Sequence, residues 1–103
     1  MPSNLILKFT PESKADLFEI FEYVTKNLDA PAAAGALIEK IESACNRLTV
    51  FPFSGVIPRD ATLAKKGYRM LVVGNFLVFY TADEQAVKIM RVVYGRRNYQ
   101  SLL

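Results

Sequence analysis

Six side chains toward the C-terminal end are of the types that grip phosphate or move its protons: Arg69, Tyr80, Arg91, Tyr94, Arg96 and Arg97. An arginine fork is permanently charged and pairs with two phosphate oxygens at once, while a tyrosine hydroxyl can act as a weak acid. Cleavage of RNA by its own 2'-hydroxyl needs a base, cations for the charge developing on phosphorus, and an acid for the leaving oxygen. The arginines meet the second need and Tyr80 or Tyr94 the third, but the base is harder to find. The chain has no histidine, so a tyrosine, a lysine such as Lys65 or Lys66, or groups supplied from outside the chain would have to serve.

Each of these residues also has a plainer reading. Arg69 opposite Tyr80 is equally well explained as a cross-strand packing pair worth about 0.2 to 1 kcal/mol. Tyr94 would close the edge of a core with its hydroxyl in water. Arg96-Arg97 after a strand reads as a solvated end or a contact for an acidic partner. Cys45 shares a helical spacing with Ile38, Ile41 and Leu48, which makes it a core residue and not a nucleophile. With a single cysteine, no histidine and no glycine-rich phosphate loop, neither a metal nor a cofactor is expected.

The elements that must position these groups follow from periodicity. Leu5 to Phe9 reads as a short strand stopped by Thr10-Pro11, with Thr10 as helix cap and Pro11 at the first helical position. Leu17, Ile20, Phe21, Val24 and Leu28 then fall on a helical stripe, with Glu12, Asp16, Glu19 and Lys26 on the other side. Asp29-Ala30-Pro31 opens a second helix carrying Leu37, Ile41, Ala44 and Leu48, and the tight connection predicts a helical hairpin. Phe51-Pro52 ends it, and 53–65 reads as a loop of the length that is often functional.

Three strands follow. Lys66 to Val73 and Phe76 to Ala82 flank Gly74-Asn75, a two-residue hairpin signal that sets Val73 against Phe76, Leu71 against Val78 and Arg69 against Tyr80. The last strand runs from Ala86 to Tyr94, and its register decides whether Arg91 or Tyr94 joins the Arg69 face. The expected fold is α+β in the order β-α-α-β-β-β, an antiparallel sheet with the helical hairpin on one face, forming one domain over 1–103. Its expected core is Leu17, Ile20, Phe21, Val24, Leu37, Ile41, Leu48, Met70, Val72, Leu77 and Phe79.

Composition narrows the class. The 103 residues are 51% apolar and 22% charged, as in an ordinary globular protein. A net charge of +3 and a pI near 9.1 permit a nucleic-acid or acidic-protein partner without requiring one. No stretch approaches the roughly 18 apolar residues of a membrane span, and no signal segment opens the chain. A soluble, cytoplasmic protein is expected.

Taken in order, several segments resemble the RelE/ParE superfamily of toxins from bacterial type II toxin-antitoxin modules. They are Ala15-Asp16-Leu17 with Ile20-Phe21-Glu22-Tyr23-Val24, Leu48-Thr49-Val50-Phe51-Pro52 with Gly55, Tyr68 to Tyr80, and Ile89 to Arg97. The resemblance implies a toxin held inactive by an antitoxin whose C-terminal segment wraps its helices and sheet. RelE-like members cut messenger RNA on the ribosome without a metal, whereas ParE-like members poison DNA gyrase.

Where the nucleases carry an arginine after the hairpin turn this chain has Phe76, and where some carry a histidine at the end of the last strand it has Tyr94. The basic residues of the first hairpin strand match only Arg69, and the arginine after the last strand matches Arg97. A nuclease would therefore depend on Arg69, Tyr94 and Arg97. A gyrase poison would use Arg69, Tyr80, Arg91, Tyr94, Arg96 and Arg97 as contacts, and the departures bring the chain closer to ParE. A degenerate member that only binds its antitoxin, or an unrelated RNA-binding domain, is the alternative.

Overall fold

Thr10 and Pro11 set the first junction of the chain. In the computed structural model, which describes residues 4–95, strand β1 (Ile6–Phe9) gives way at Thr10 to helix α1 (Pro11–Asn27). The Thr10 hydroxyl oxygen accepts from the Ser13 amide at 3.0 Å, and the missing N–H of Pro11 costs nothing at the first helical position. Three residues then connect to α2 (Pro31–Arg47), with Asp29 turned into the left-handed region at φ 48°. The two helices pack against each other, as so short a connection demands.

Within the stretch read from sequence as a loop, residues 61–65 form a short helix, α3 (Ala61–Lys65). Its cap is Asp60, whose Oδ1 accepts from the Leu63 amide at 3.1 Å. Gly67, at φ 82°, reverses the chain into β2 (Arg69–Val73).

β2, β3 (Phe76–Ala82) and β4 (Ala86–Tyr94) form the expected antiparallel meander, and the register of the first hairpin is the one the turn dictates: Val73 with Phe76, Leu71 with Val78, Arg69 with Tyr80. Gly74 takes φ 59° at the first turn position, where a two-residue hairpin favours glycine. The sheet order is β1-β4-β3-β2, and β1 lies parallel to β4. The sheet is therefore mixed, with one parallel pairing added to the antiparallel three.

The principal core differs from the expected one. α2 contributes Ile41, Ala44, Cys45 and Leu48, and the sheet answers with Val73, Val78, Tyr80, Val87, Ile89 and Val92. The helices thus cover the face that carries Arg69, Leu71, Val73, Phe76, Val78 and Tyr80. Met70, Leu77 and Phe79 lie on the opposite face, where Phe79 and Val93 are sealed by Leu63 of α3. Val72 is 62% exposed, and Phe21 and Leu28 are also exposed. Both faces of the hairpin are apolar because both are covered, one by two helices and the other by the α3 segment.

Candidate functional site

Tyr80 is fully buried, and its hydroxyl is engaged twice. It donates to the Pro52 carbonyl at 2.8 Å and accepts from the Gly55 amide at 3.0 Å. Burial pushes this phenol above its ordinary value, with the Gly55 N–H and the charge of Arg69 pulling the other way. Arg69 beside it donates to the Gly55 carbonyl at 2.9 Å and reaches the Phe53 carbonyl at 3.4 Å. Its guanidinium carbon lies 4.8 Å from the centre of the Phe53 ring. Arg69 and Tyr80 together clamp the chain at 52–55, and Tyr80 is not open to a phosphate.

Arg91 sits at an irregularity in the sheet. Phe79 opposes Arg91 but Tyr80 opposes Ile89, so Met90 is the extra residue of a β-bulge. The backbone groups freed there are answered by side chains of the α1 region. The Met90 carbonyl accepts from the Thr10 hydroxyl at 3.0 Å, and the Val92 amide donates to Asp16 Oδ2 at 2.9 Å. Arg91 completes the arrangement with Nε 2.7 Å from Asp16 Oδ2 and Nη2 2.8 Å from Oδ1. This fork raises the guanidinium above its ordinary value, chiefly through the hydrogen bond to Asp16.

Asp16, read from sequence as part of the polar side of α1, is instead buried at the sheet. The signal was present in its spacing, since Ser13, Asp16 and Ile20 recur at three and four residues and therefore share a face. Gly55 is likewise fixed by contacts that only the fold brings together. A Cβ there would lie 2.5 Å from the Tyr80 hydroxyl and 2.9 Å from the Met70 carbonyl, so only glycine fits the clamp.

Tyr94 is 43% exposed and meets Phe76 edge-on, with ring centres 5.9 Å apart. The position where the nucleases carry arginine here supports this aromatic pair. Because Tyr94 pairs with Phe76 and Ile89 with Tyr80, Tyr94 and the Arg69–Tyr80 clamp lie at opposite ends of β3. Four residue steps along β3, from Phe76 to Tyr80, separate them, roughly 13 Å. Arg91 lies between, turned to α1. The four candidates within the described residues do not converge on one point; Arg96 and Arg97 lie outside those residues.

Beside Tyr94 runs a groove of about 430 Å³ between α1 and β4, lined by Asp16, Glu19, Ile20, Tyr23, Val92 and Tyr94 among others. Among the described residues no cluster of three or more His, Cys, Asp or Glu is placed to hold a metal, and no helix is long and apolar enough to cross a membrane.

This architecture has relatives. The family model described as ParE toxin of type II toxin-antitoxin system, parDE, matches residues 7–99. Toxin ParE3 of Caulobacter vibrioides is 32% identical over 98 residues, which cover 95% of this chain and 93% of that protein. A solved structure of the chromosomal ParDE TA system from P. aeruginosa superimposes with a TM-score of 0.73 at 20% identity, over 87% of this chain and 95% of that one. The YoeB/ParE toxin from Agrobacterium tumefaciens gives 0.61 at 19% identity, over 87% and 98%. The fold agrees across these structures, and the sequence match runs from β1 past the end of β4, so the chain belongs to the ParE toxin family of type II toxin-antitoxin systems.

Proposed function

We propose that this chain arrests growth by binding DNA gyrase and does not cut RNA. The observation that carries the reading is the placement of Arg69, Tyr80, Arg91 and Tyr94. A nuclease concentrates cations and a proton-transfer group on one phosphate, and losing either lowers the rate by roughly 100-fold or more. Here Tyr80 and Arg69 clamp the 52–55 segment, Arg91 is forked to Asp16, and Tyr94 stands at the far end of β3. Similarity to ParE toxins supports the same choice. Tyr94, with Arg96 and Arg97, remains for contact with the target, and Arg69 acts through the segment it holds.

The same reading includes a cognate antitoxin that holds the toxin inactive, in the cytoplasm where gyrase works. Phe18 and Tyr23 on α1 and Leu28 at its end leave exposed apolar surface that such a segment would cover. The net charge of +3 favours a segment acidic overall, while Glu19 in the α1–β4 groove, where Asp16 is already paired with Arg91, favours a basic or apolar residue at that point.

The deciding experiment induces the chain without its antitoxin and follows messenger RNA ends on ribosomes together with gyrase-linked DNA breaks. DNA breaks with uncut messages are the expected result. Codon-phased RNA cleavage with intact DNA would transfer the assignment to the RelE-like mechanism, and unimpaired growth would identify a degenerate, antitoxin-binding member.

A further inference from the structure

The segment 51–57 holds apolar side chains out in water in a fixed shape. Phe51, Phe53, Val56 and Ile57 are each more than half exposed. Their backbone, in contrast, is pinned: Pro52 and Gly55 by the Tyr80 hydroxyl, Gly55 again by Arg69, Ser54 to the Phe51 carbonyl, and Val56 to Met70 through both its N–H and its C=O. A merely solvated loop needs neither the apolar side chains nor the pins. Rigid apolar anchors held in the bound shape are what a protein interface needs, because little conformational entropy is then lost on docking.

Charge identifies the occupant. Between positions 47 and 69 the chain carries Arg47, Arg59, Lys65, Lys66 and Arg69 against a single carboxylate, Asp60, which caps α3. We propose that 51–57 is a preformed knob that inserts into an apolar groove rimmed by carboxylates on the folded target protein. A protruding, clamped knob fits a concavity on a folded partner. An extended antitoxin segment fits a groove instead, and the α1–β4 groove with Glu19 offers one elsewhere. On the reading proposed above, the target is gyrase.

The test is the full-length chain carrying Phe51→Ser and Ile57→Ser, titrated against purified gyrase with plasmid DNA and against the cognate antitoxin, with a thermal melt of the same sample. The expected result is gyrase affinity lowered about tenfold or more, antitoxin affinity within about twofold, and an unchanged melt, as for removal of exposed anchor residues. Unchanged gyrase affinity overturns the proposal, as does an equal loss of both affinities with the fold intact. If the wild-type chain does not bind gyrase, that target is wrong, and growth arrest at matched protein level judges the knob alone. Arrest lost in the variant then supports it; arrest as strong as wild type, or no arrest by the wild type itself, overturns it. Tyr80→Phe gives a second measurement, since it keeps every apolar side chain of the knob but loosens it, and should weaken target binding more than antitoxin binding.

Discussion

The carboxylate of Asp16 and the guanidinium of Arg91 meet through two hydrogen bonds of 2.7 and 2.8 Å, across 75 residues of sequence, and the same carboxylate receives the Val92 amide. Three donors thus converge on one side chain at the point where β4 departs from regular pairing. The bulge is tolerated because its displaced backbone groups find partners in the α1 region. It also allows Val92 and Tyr94 to continue on the helix-facing side after Val87 and Ile89, although 89 and 92 differ in parity.

Removing Asp16 should therefore be among the most damaging single changes in the fold. Asp16→Ala removes the carboxylate that receives both the largely buried Arg91 fork and the Val92 amide, and a loss of about 3 kcal/mol or more is expected. Arg91→Met removes the other charge while filling its space and should cost less than Asp16→Ala. Urea unfolding of both variants checks the order; a reversed order would mean that the Val92 amide and Arg91 find other acceptors.

Tyr80 and Gly55 form a second coupled pair. Tyr80→Phe deletes two buried hydrogen bonds and leaves the Gly55 N–H without its acceptor, for about 1 to 3 kcal/mol. Gly55→Ala should be at least as harmful, because the new methyl meets the Met70 carbonyl as well as the ring. Combining the two does not restore stability, since the Met70 carbonyl is backbone and stays in place. Recovery of the wild-type melting temperature in the double variant would contradict this geometry.

What sequence revealed and what it concealed divide along physical lines. Element order, the Thr10 cap, the placing of Pro31 at the start of α2 and the hairpin register follow from local rules, and they recur in the structure. Which face of the hairpin meets the helices does not. Met70, Val72, Leu77 and Phe79 are as apolar as Leu71, Val73, Phe76 and Val78, so alternation cannot choose between the two faces. α3, capped by Asp60, is only five residues long, too short to show a helical period in a stretch that also holds Gly55 and Pro58. The bulge at Met90 depends on acceptors and donors about 75 to 80 residues away in sequence, at Asp16 and Thr10, and no local pattern announces it. Arg91, Tyr80 and Arg69 were legible as candidates by type, but only the contacts reveal what they hold.

Gly35 offers a gain in stability. It lies inside α2, and a Cβ built there meets nothing within 4 Å. Gly35→Ala should stabilise the chain by roughly 0.5 to 1 kcal/mol by reducing the freedom of the unfolded backbone. The matching control is Gly67→Ala, where the surroundings are equally open but φ is 82°, and there the same substitution should destabilise. Denaturant midpoints of the two variants should move in opposite directions.

Cys45 provides a pH test of the core. It is fully buried in α2, and burial, helped by the charge of Glu42, pushes its thiol from 9.0 to about 12. Well below pH 9 the thiol is neutral in both folded and unfolded chains and contributes no pH dependence. As pH rises from 9 toward 12 the unfolded chain ionises while the folded chain does not, so the unfolded state gains and stability falls, with a limiting slope of about 1.4 kcal/mol per pH unit. Tyr80 is shifted in the same direction and adds to the decline from pH 10 upward. Cys45→Ala should therefore flatten the alkaline loss between pH 9 and 10 while leaving the part that begins above 10. In the native protein at pH 8 the thiol should react with a disulfide reagent at least about 100-fold more slowly than in denaturant, since modification requires opening of the core. Rapid modification of the folded chain, or an alkaline profile that Cys45→Ala leaves unchanged, would place Cys45 outside the core.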